Sequence, residues 1–266
     1  MHQRFTYQVE NRSWDIDMGS PIELAIPLDF SGEQPRAFGL PQASSRPFQA
    51  GEFVGALEKG GPVNCFTLEI TPHGNGTHTE TSLHIDPDGP RLDQISLSPW
   101  MLCLVLTVPL QSKDETDDSY AVKLTELDRF VTSQALEEAF QDKQDLPYDA
   151  LVLRTLPNPV EKLSRDYSGS FAPFLSREAM HWVRGHSFSH LLVDCPSVDR
   201  EDDEGKLENH RTFWESNKLG TITEMVYLPE VHEDGVYMLN LQVPRFCMDA
   251  APSRPVLYPL LSTDES

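Results

Sequence analysis

The amino-acid sequence predicts a strand-dominated α/β domain, and three observations carry that expectation. Apolar runs of five to eight residues recur along the chain, several with the alternation of a half-buried strand. Only three stretches carry helix-start signals. Those helical stretches separate continuous apolar runs such as ALVLRT and HLLVD, whose unbroken apolarity suits parallel strands buried on both faces. No repeat, low-complexity linker or break in composition divides residues 1–266, so the chain reads as one domain.

The elements follow in chain order. Residues 1–20 are expected to form an N-terminal arm. Ile22 to Leu28 (IELAIPL) alternates as a strand, and Pro27, which has no amide hydrogen, puts it at an edge or marks its end. Gly and Pro punctuate residues 31–64, which read as loop-rich. Further strands are expected at 65–71 (CFTLEIT), 101–108 (MLCLVLTV), 150–155 (ALVLRT), 190–194 (HLLVD), 221–227 (TITEMVY) and 236–243 (VYMLNLQV). Helices are expected at 125–132, opened by Thr and acidic residues, at 133–141 with Ser-x-x-Leu-Glu-Glu, and at 176–184 with Ser-Arg-Glu.

Charge and cysteine usage narrow the function. With 42 acidic against 21 basic residues the formal net charge is −21, which repels nucleic acid and anionic membrane surfaces. The first residues contain no apolar signal core, and no run reaches the roughly eighteen apolar residues that span a bilayer; the expectation is a cytoplasmic protein. Cys65, Cys103, Cys195 and Cys247 are scattered without a Cys-x-x-Cys pair, so neither a zinc ribbon nor a disulfide framework is indicated, and most are expected to be buried thiols. One route to catalysis remains through them, a thiolate of Cys65 or Cys195 paired with a histidine.

The densest chemistry lies in TPHGNGTHTETSLH, Thr71 to His84, which holds three histidines and a glutamate. Imidazole nitrogen and carboxylate oxygen together suit Zn, Mn or Fe. In an extended segment His78 and Glu80 point to one face, joined by His84 if the alternation continues. Gly74 and Gly76 allow the backbone turns that re-aim a strand end. A polar loop whose histidines bond locally is the plainer alternative.

GTHTETSLH resembles the His-x-Gly-Thr-His-x-Asp-x-Pro-x-His signature of the cyclase-type metal-dependent hydrolases, a family that includes kynurenine formamidase and isatin hydrolase activities. IELAIPLDF is similar to the family's opening strand, VLRT to its central strand, and LLVDCPSVDR to its Gly-Ile-Asp-x-x-Ser-x-Asp segment. HRTFWESNKLGTITEMVYLPE resembles the stretch with its later His and Glu ligands. The ordered likeness runs from about Pro21 to about Pro259.

The resemblance implies a swivelling β/β/α fold with a curved mixed sheet, a divalent metal, Zn or Mn, and hydrolysis of an amide, formamide or cyclic amide in a small molecule. It implies a homodimer or homotetramer. Position by position, it makes His78 and Glu80 metal ligands, with Glu80 where a carboxylate bridges two ions, and His210 with Glu224 a second ligand pair. His84 falls on the acid/base histidine. Asp194, Ser197 and Asp199 take supporting or turn roles, and the acidic loop Asp199 to Glu208 becomes a cover for the site.

Three positions depart from the signature. Gly74 stands where the first histidine belongs, so His73 can serve only if the Gly-Asn-Gly stretch bulges. Glu80 replaces Asp, and Ser82-Leu83 replaces the segment with proline. The rival readings are a family member without hydrolysis, poor in metal, and a purely structural or interaction protein. Phe213, Trp214 and Trp100 are expected either as walls of a substrate pocket or as core.

Overall fold

The computed structural model describes residues 4–9, 12–143, 146–169 and 171–261; residues 1–3 and 10–11 of the expected N-terminal arm lie outside the described residues. Eleven strands form one mixed sheet: β1 Arg4–Val9, β2 Arg12–Asp17, β3 Ile22–Glu23, β4 His78–Glu80, β5 Met101–Pro109, β6 Ala150–Leu156, β7 His190–Val193, β8 Thr221–Glu224, β9 Gly235–Gln242, β10 Ala250–Pro252 and β11 Arg254–Leu261. Their order across the sheet is β1-β2-β11-β9-β5-β6-β7-β8-β4-β10, with β3 paired to β11.

The centre, β5-β6-β7-β8, is parallel, and everything outside it is antiparallel. The sequence explains the division. Residues of β5 from Met101 to Leu106 and of β6 from Ala150 to Thr155 are all buried, as expected for strands covered on both faces. Leu104, Leu106 and Val108 face one core with Leu151 and Leu153; Met101, Cys103 and Val105 face the other with Ala150 and Val152. Each of the Leu, Val and Met side chains among them contributes roughly 1.5–3 kcal/mol by leaving water.

Three helices cover the first face: α1 Ser133–Phe140, α2 Arg177–Gly185 and α3 Glu208–Trp214. Thr132 caps α1 by accepting from the Ala135 amide at 3.2 Å, and Ser176 caps α2 by accepting from Ala179 at 2.9 Å. Met180, Val183, Phe213 and Trp214 pack into that core. Among the described residues no helix is long and apolar enough to cross a membrane.

Several sequence expectations need correction. Residues 125–132 are not a helix: Asp128 accepts from the Thr125 amide and hydroxyl at 2.6 and 3.0 Å, which closes a turn, and Phe130–Val131 then pairs with Phe174–Leu175. α3 carries no helix signal in the sequence, because its first turn follows Leu207 in the left-handed region with no side-chain cap. The strand expected over 22–28 shrinks to Ile22–Glu23 with a bridge from Ala25 to Val226. Phe66–Glu69 is a strand, but it pairs with Ser44–Pro47 in a small exposed sheet of its own. Of the cysteines, Cys103 and Cys195 are buried, whereas Cys65 and Cys247 are exposed, and all four are free.

Candidate metal centre

The site forms where the parallel centre gives way to two three-residue antiparallel strands. Glu224 ends β8 directly opposite His78, and Ile222 sits opposite Glu80. On the far side of β4, Ala250 pairs with Glu80 and Pro252 with His78. Alternation therefore puts His78, Glu80 and Glu224 on one face, as the sequence suggests for the first two. β8 stops after Glu224 because Met225 turns into the left-handed region at φ 55°, where its amide bonds the Cys195 carbonyl at 3.0 Å. Thr77, just before β4, locks the same bend by donating its hydroxyl to the Met225 carbonyl at 2.5 Å.

His84 arrives by a different route from the one expected. The extended backbone ends at Glu80, and Ser82–His84 is a turn of 3-10 helix that Thr81 caps. His210 comes from the first turns of α3. The five residues nonetheless converge. His210 Nε2 lies 3.0 Å from Glu80 Oε1 and 3.7 Å from Glu224 Oε1, and His78 Nε2 lies 3.4 Å from Glu224 Oε2. His84 Nε2 is 4.0 Å from Glu80 Oε2.

His73 also reaches the cluster: its Nδ1 is 3.0 Å from Glu80 Oε2. The bulge that the sequence requires is a 3-10 turn over Pro72–Gly74, stapled by the Asn75 side chain accepting from the Thr71 amide at 2.8 Å. Glu80 is fully buried, while His73 is 24% and His84 28% exposed, so the first forms the floor of the site and the other two its rim. The rim includes one group that no sequence signal marks. Asp249 Oδ2 lies 2.7 Å from His73 Nε2 and 3.4 Å from His84 Nδ1.

Outer partners decide which ring nitrogens face inward. His78 Nδ1 lies 3.0 Å from the Gly76 carbonyl, which can only accept, so Nδ1 carries the proton and Nε2 is a free lone pair. Asp199 Oδ2 lies 2.6 Å from His210 Nδ1 and holds the proton there, so that Nε2 is the nitrogen turned toward Glu80. Of the other two residues of that segment, Ser197 supports Asp199 and Asp194 acts elsewhere. Asp194 pairs with buried Lys162 at 2.7 Å and accepts from Thr155, and the Ser197 hydroxyl accepts from the Asp199 amide.

Four buried atoms, His78 Nε2, His210 Nε2 and both oxygens of Glu80, make no aligned hydrogen bond, although imidazole nitrogens lie 3.0 Å from each Glu80 oxygen. Buried polar groups are rarely left so, since each costs about 1–3 kcal/mol. A set of imidazole nitrogens and carboxylate oxygens converging within ligand range is the donor set of a Zn, Mn or Fe site, and three overlapping trios here are close enough to share an ion: His73 with His78 and Glu80, His73 with His84 and Asp249, and Glu80 with His84 and His210. The residues therefore fit a divalent metal.

The charges are strongly coupled. Burial pushes the Glu80 carboxyl up, yet the neighbouring His210 and His73 hold it well below the usual range. Burial likewise opposes charge on His210, but Glu80 and Asp199 raise it well above an ordinary histidine. Burial and the nearby His73 and His210 lower His84, outweighing Glu80. The thiol of Cys195 is pushed up by burial and by Asp194, the wrong direction for a nucleophile, which removes the support for a Cys195-dependent reaction.

A cleft of about 220 Å³ opens above the rim, lined by His73, His84, His210, Phe38, Leu207 and loop residues that include Arg200, Glu201 and Asp203. The acidic loop thus borders the site; Asp203 folds it by accepting from the Gly205 and Leu207 amides, and Arg200 ties it to Asp128 at 2.8 Å. Phe213 and Trp214 are core, and Trp100 packs on Tyr258 and Phe5, so none of the three walls the cleft.

Comparison with known proteins adds a lineage to this geometry. A kynurenine formamidase of Bacillus anthracis is 25% identical over 213 residues, which cover 79% of this chain and 87% of that protein. Isatin hydrolase A from Labrenzia aggregata, solved with benzyl benzoate, superposes with a TM-score of 0.62 at 13% identity, covering 90% of this chain and 93% of the other. A protein of Bacillus stearothermophilus described as a predicted metal-dependent hydrolase gives 0.58 at 16% identity, covering 90% and 98%. The model of the Cyclase family matches residues 16–200, more than half of the chain and inclusive of β4 with His78 and Glu80, and on that match the protein belongs to the Cyclase family.

Proposed function

We propose that the protein is a metal-dependent hydrolase of a carbon–nitrogen bond in a small amide, formamide or cyclic amide, with His84 as the acid/base group. The observation that carries the reading is the set of four buried atoms on His78, Glu80 and His210 that converge without aligned hydrogen bonds, beside Glu224. Membership of the Cyclase family and the likeness to a kynurenine formamidase support the choice of reaction.

In this reading His78, Glu80, His210 and Glu224 hold the ion, with His73 from the rim. A divalent ion held there supplies Lewis acidity toward a carbonyl oxygen and lowers the pKa of a water. The chain supplies the rest. Asp199 and the Gly76 carbonyl each hold an outer ring nitrogen as N–H, so the inner nitrogens of His210 and His78 are the ones aimed at the ion, which would take the place of a proton there. His84, on the open side, takes the proton of the attacking water at a ring nitrogen and returns it to the departing nitrogen, a two-way duty that imidazole suits. Phe38 and Leu207 give the cleft apolar surface against which the acyl or ring portion lies, and its volume limits the substrate to a small molecule. The proposal includes a homodimer or homotetramer, which the mass in solution checks.

The test is metal analysis of the purified protein and of His78→Ala and Glu224→Ala, with hydrolysis of aryl formamides and cyclic amides followed in parallel. Wild type carries metal and turnover, and both variants lose both. Wild-type protein that takes up neither Zn nor Mn, and gains no thermal stability from them, overturns the reading.

A further inference from the structure

Asp249 stands outside every motif in the sequence, yet it occupies a specific place. Ala250 pairs with Glu80 across the sheet, and the Asp249 carbonyl accepts from the Thr81 amide at 2.9 Å, so the backbone sets this residue beside the end of β4. Its carboxylate lies 2.7 Å from His73 Nε2. We propose that Asp249 is a positioning residue that turns His73 into the metal ligand which Gly74 cannot provide. The inference rests on the metal-dependent reading above.

The surroundings of position 74 favour glycine. A Cβ on Gly74 would stand 2.4 Å from Leu40 Cδ1, the movable end of a half-buried side chain, and 3.2 Å from the Ala37 carbonyl oxygen, so a side chain there requires Leu40 to turn aside and Ala37 to give. The same 3-10 turn carries His73, one residue earlier, to the cluster. A rim histidine that is partly exposed needs a partner to fix its tautomer and its plane. An Nε2–H donated to Asp249 makes Nδ1, 3.0 Å from Glu80 Oε2 and within reach of His78, the nitrogen that would bind the ion in place of a proton. His84, stacked on His73 with ring centres 4.1 Å apart, keeps the ring in that plane.

The arrangement repeats the one on the opposite side of Glu80. There Asp199 holds His210 by its Nδ1 at 2.6 Å, and Nε2 faces Glu80 Oε1 at 3.0 Å. Each oxygen of Glu80 is therefore met by one imidazole nitrogen, and each imidazole is backed by one aspartate. The second aspartate comes from a remote part of the chain, beyond the residues that the family model matches.

The experiment measures Zn affinity by competition with a chromophoric chelator, independent of turnover, for wild type, Asp249→Asn, Asp249→Ala, His73→Ala and the double variant His73→Ala/Asp249→Ala. Loss of such an orienting partner costs about 10–100-fold in affinity; Asp249→Asn, which keeps an acceptor, falls near the lower end and Asp249→Ala near the upper. The double variant binds no more than about threefold more weakly than His73→Ala alone, because the aspartate acts through that ring. Far-UV spectra check that the variants fold, and the isosteric Asp249→Asn serves if the alanine variant does not. Unchanged affinity in both Asp249 variants overturns the inference, as does a full Asp249→Ala penalty in the absence of His73. In those cases wild type still binds Zn and the hydrolase reading stands. Wild type that binds no Zn removes both.

Discussion

Asp199 grips His210 by its outer nitrogen at 2.6 Å, and the same carboxylate accepts from the Tyr120 hydroxyl at 2.6 Å and from the Asn209 amide at 2.9 Å. With the His210 amide at 3.1 Å as well, four fixed donors leave it little freedom to release the ring. Asp199→Asn keeps one acceptor oxygen but turns its NH2 toward Tyr120 and Asn209 or toward His210 Nδ1, donors all, so Zn affinity drops about 10–100-fold, with turnover falling alongside. Chelator competition on the folded variant reads this directly; an affinity equal to that of wild type contradicts the role.

His84 and His78 separate two duties within one motif. Removing a proton-transfer group typically lowers turnover by about 10²–10⁴-fold while leaving the metal in place. His84→Ala is expected to behave so, whereas His78→Ala, whose Nε2 has only site atoms to face, loses the metal itself. Metal content measured beside initial rates distinguishes them, and an His84→Ala protein stripped of metal makes His84 a ligand.

Binding also reports through stability. A metal bound only by the folded state adds RT ln(1 + [L]/Kd), about 2.7 kcal/mol at a hundredfold excess over Kd, or roughly 5 °C or more in melting temperature for a chain of this size. Wild type gains this on addition of Zn after chelation, and Glu224→Ala gains a small fraction of it. Equal shifts in the two proteins argue that Zn binds elsewhere.

His190, away from the site, sets a pH dependence. It is buried beside β8, its Nδ1 2.9 Å from the Thr221 hydroxyl, and burial lowers its pKa to about 4. The unfolded chain takes up the proton near pH 6.5 and the folded chain only near 4, so the stabilisation is complete above 6.5 and is lost as pH falls between the two. One such proton is worth roughly 3 kcal/mol across that window. Urea unfolding of wild type and His190→Gln at pH 7 and pH 5 isolates it: the variant loses less stability on acidification. Parallel losses rule the histidine out.

The parts legible in the sequence are those set by local pattern. Unbroken apolar runs located β5, β6 and β7 to within a residue or so, and the Ser at 176 placed the start of α2. Thr125 with Asp128 looked like a helix start because the side-chain bonds that cap a helix also close an isolated turn; the buried Phe130 then takes the chain into a strand. Asp249 stayed invisible for a different reason. Its position follows from the register of Ala250 against Glu80, a pairing between segments far apart in the chain that no local spacing encodes. His73 looked one residue out of place because an extended backbone was assumed where a turn stands.

The convergence of 73–84, 210–224 and 249 on one site has a mechanical consequence. An ion shared by these residues works as a removable cross-link: it closes a loop of more than a hundred residues between β4 and α3, and by closing it lowers the entropy of the opened chain. Limited proteolysis between β4 and α3 should then slow when Zn is added and resume when a chelator withdraws it.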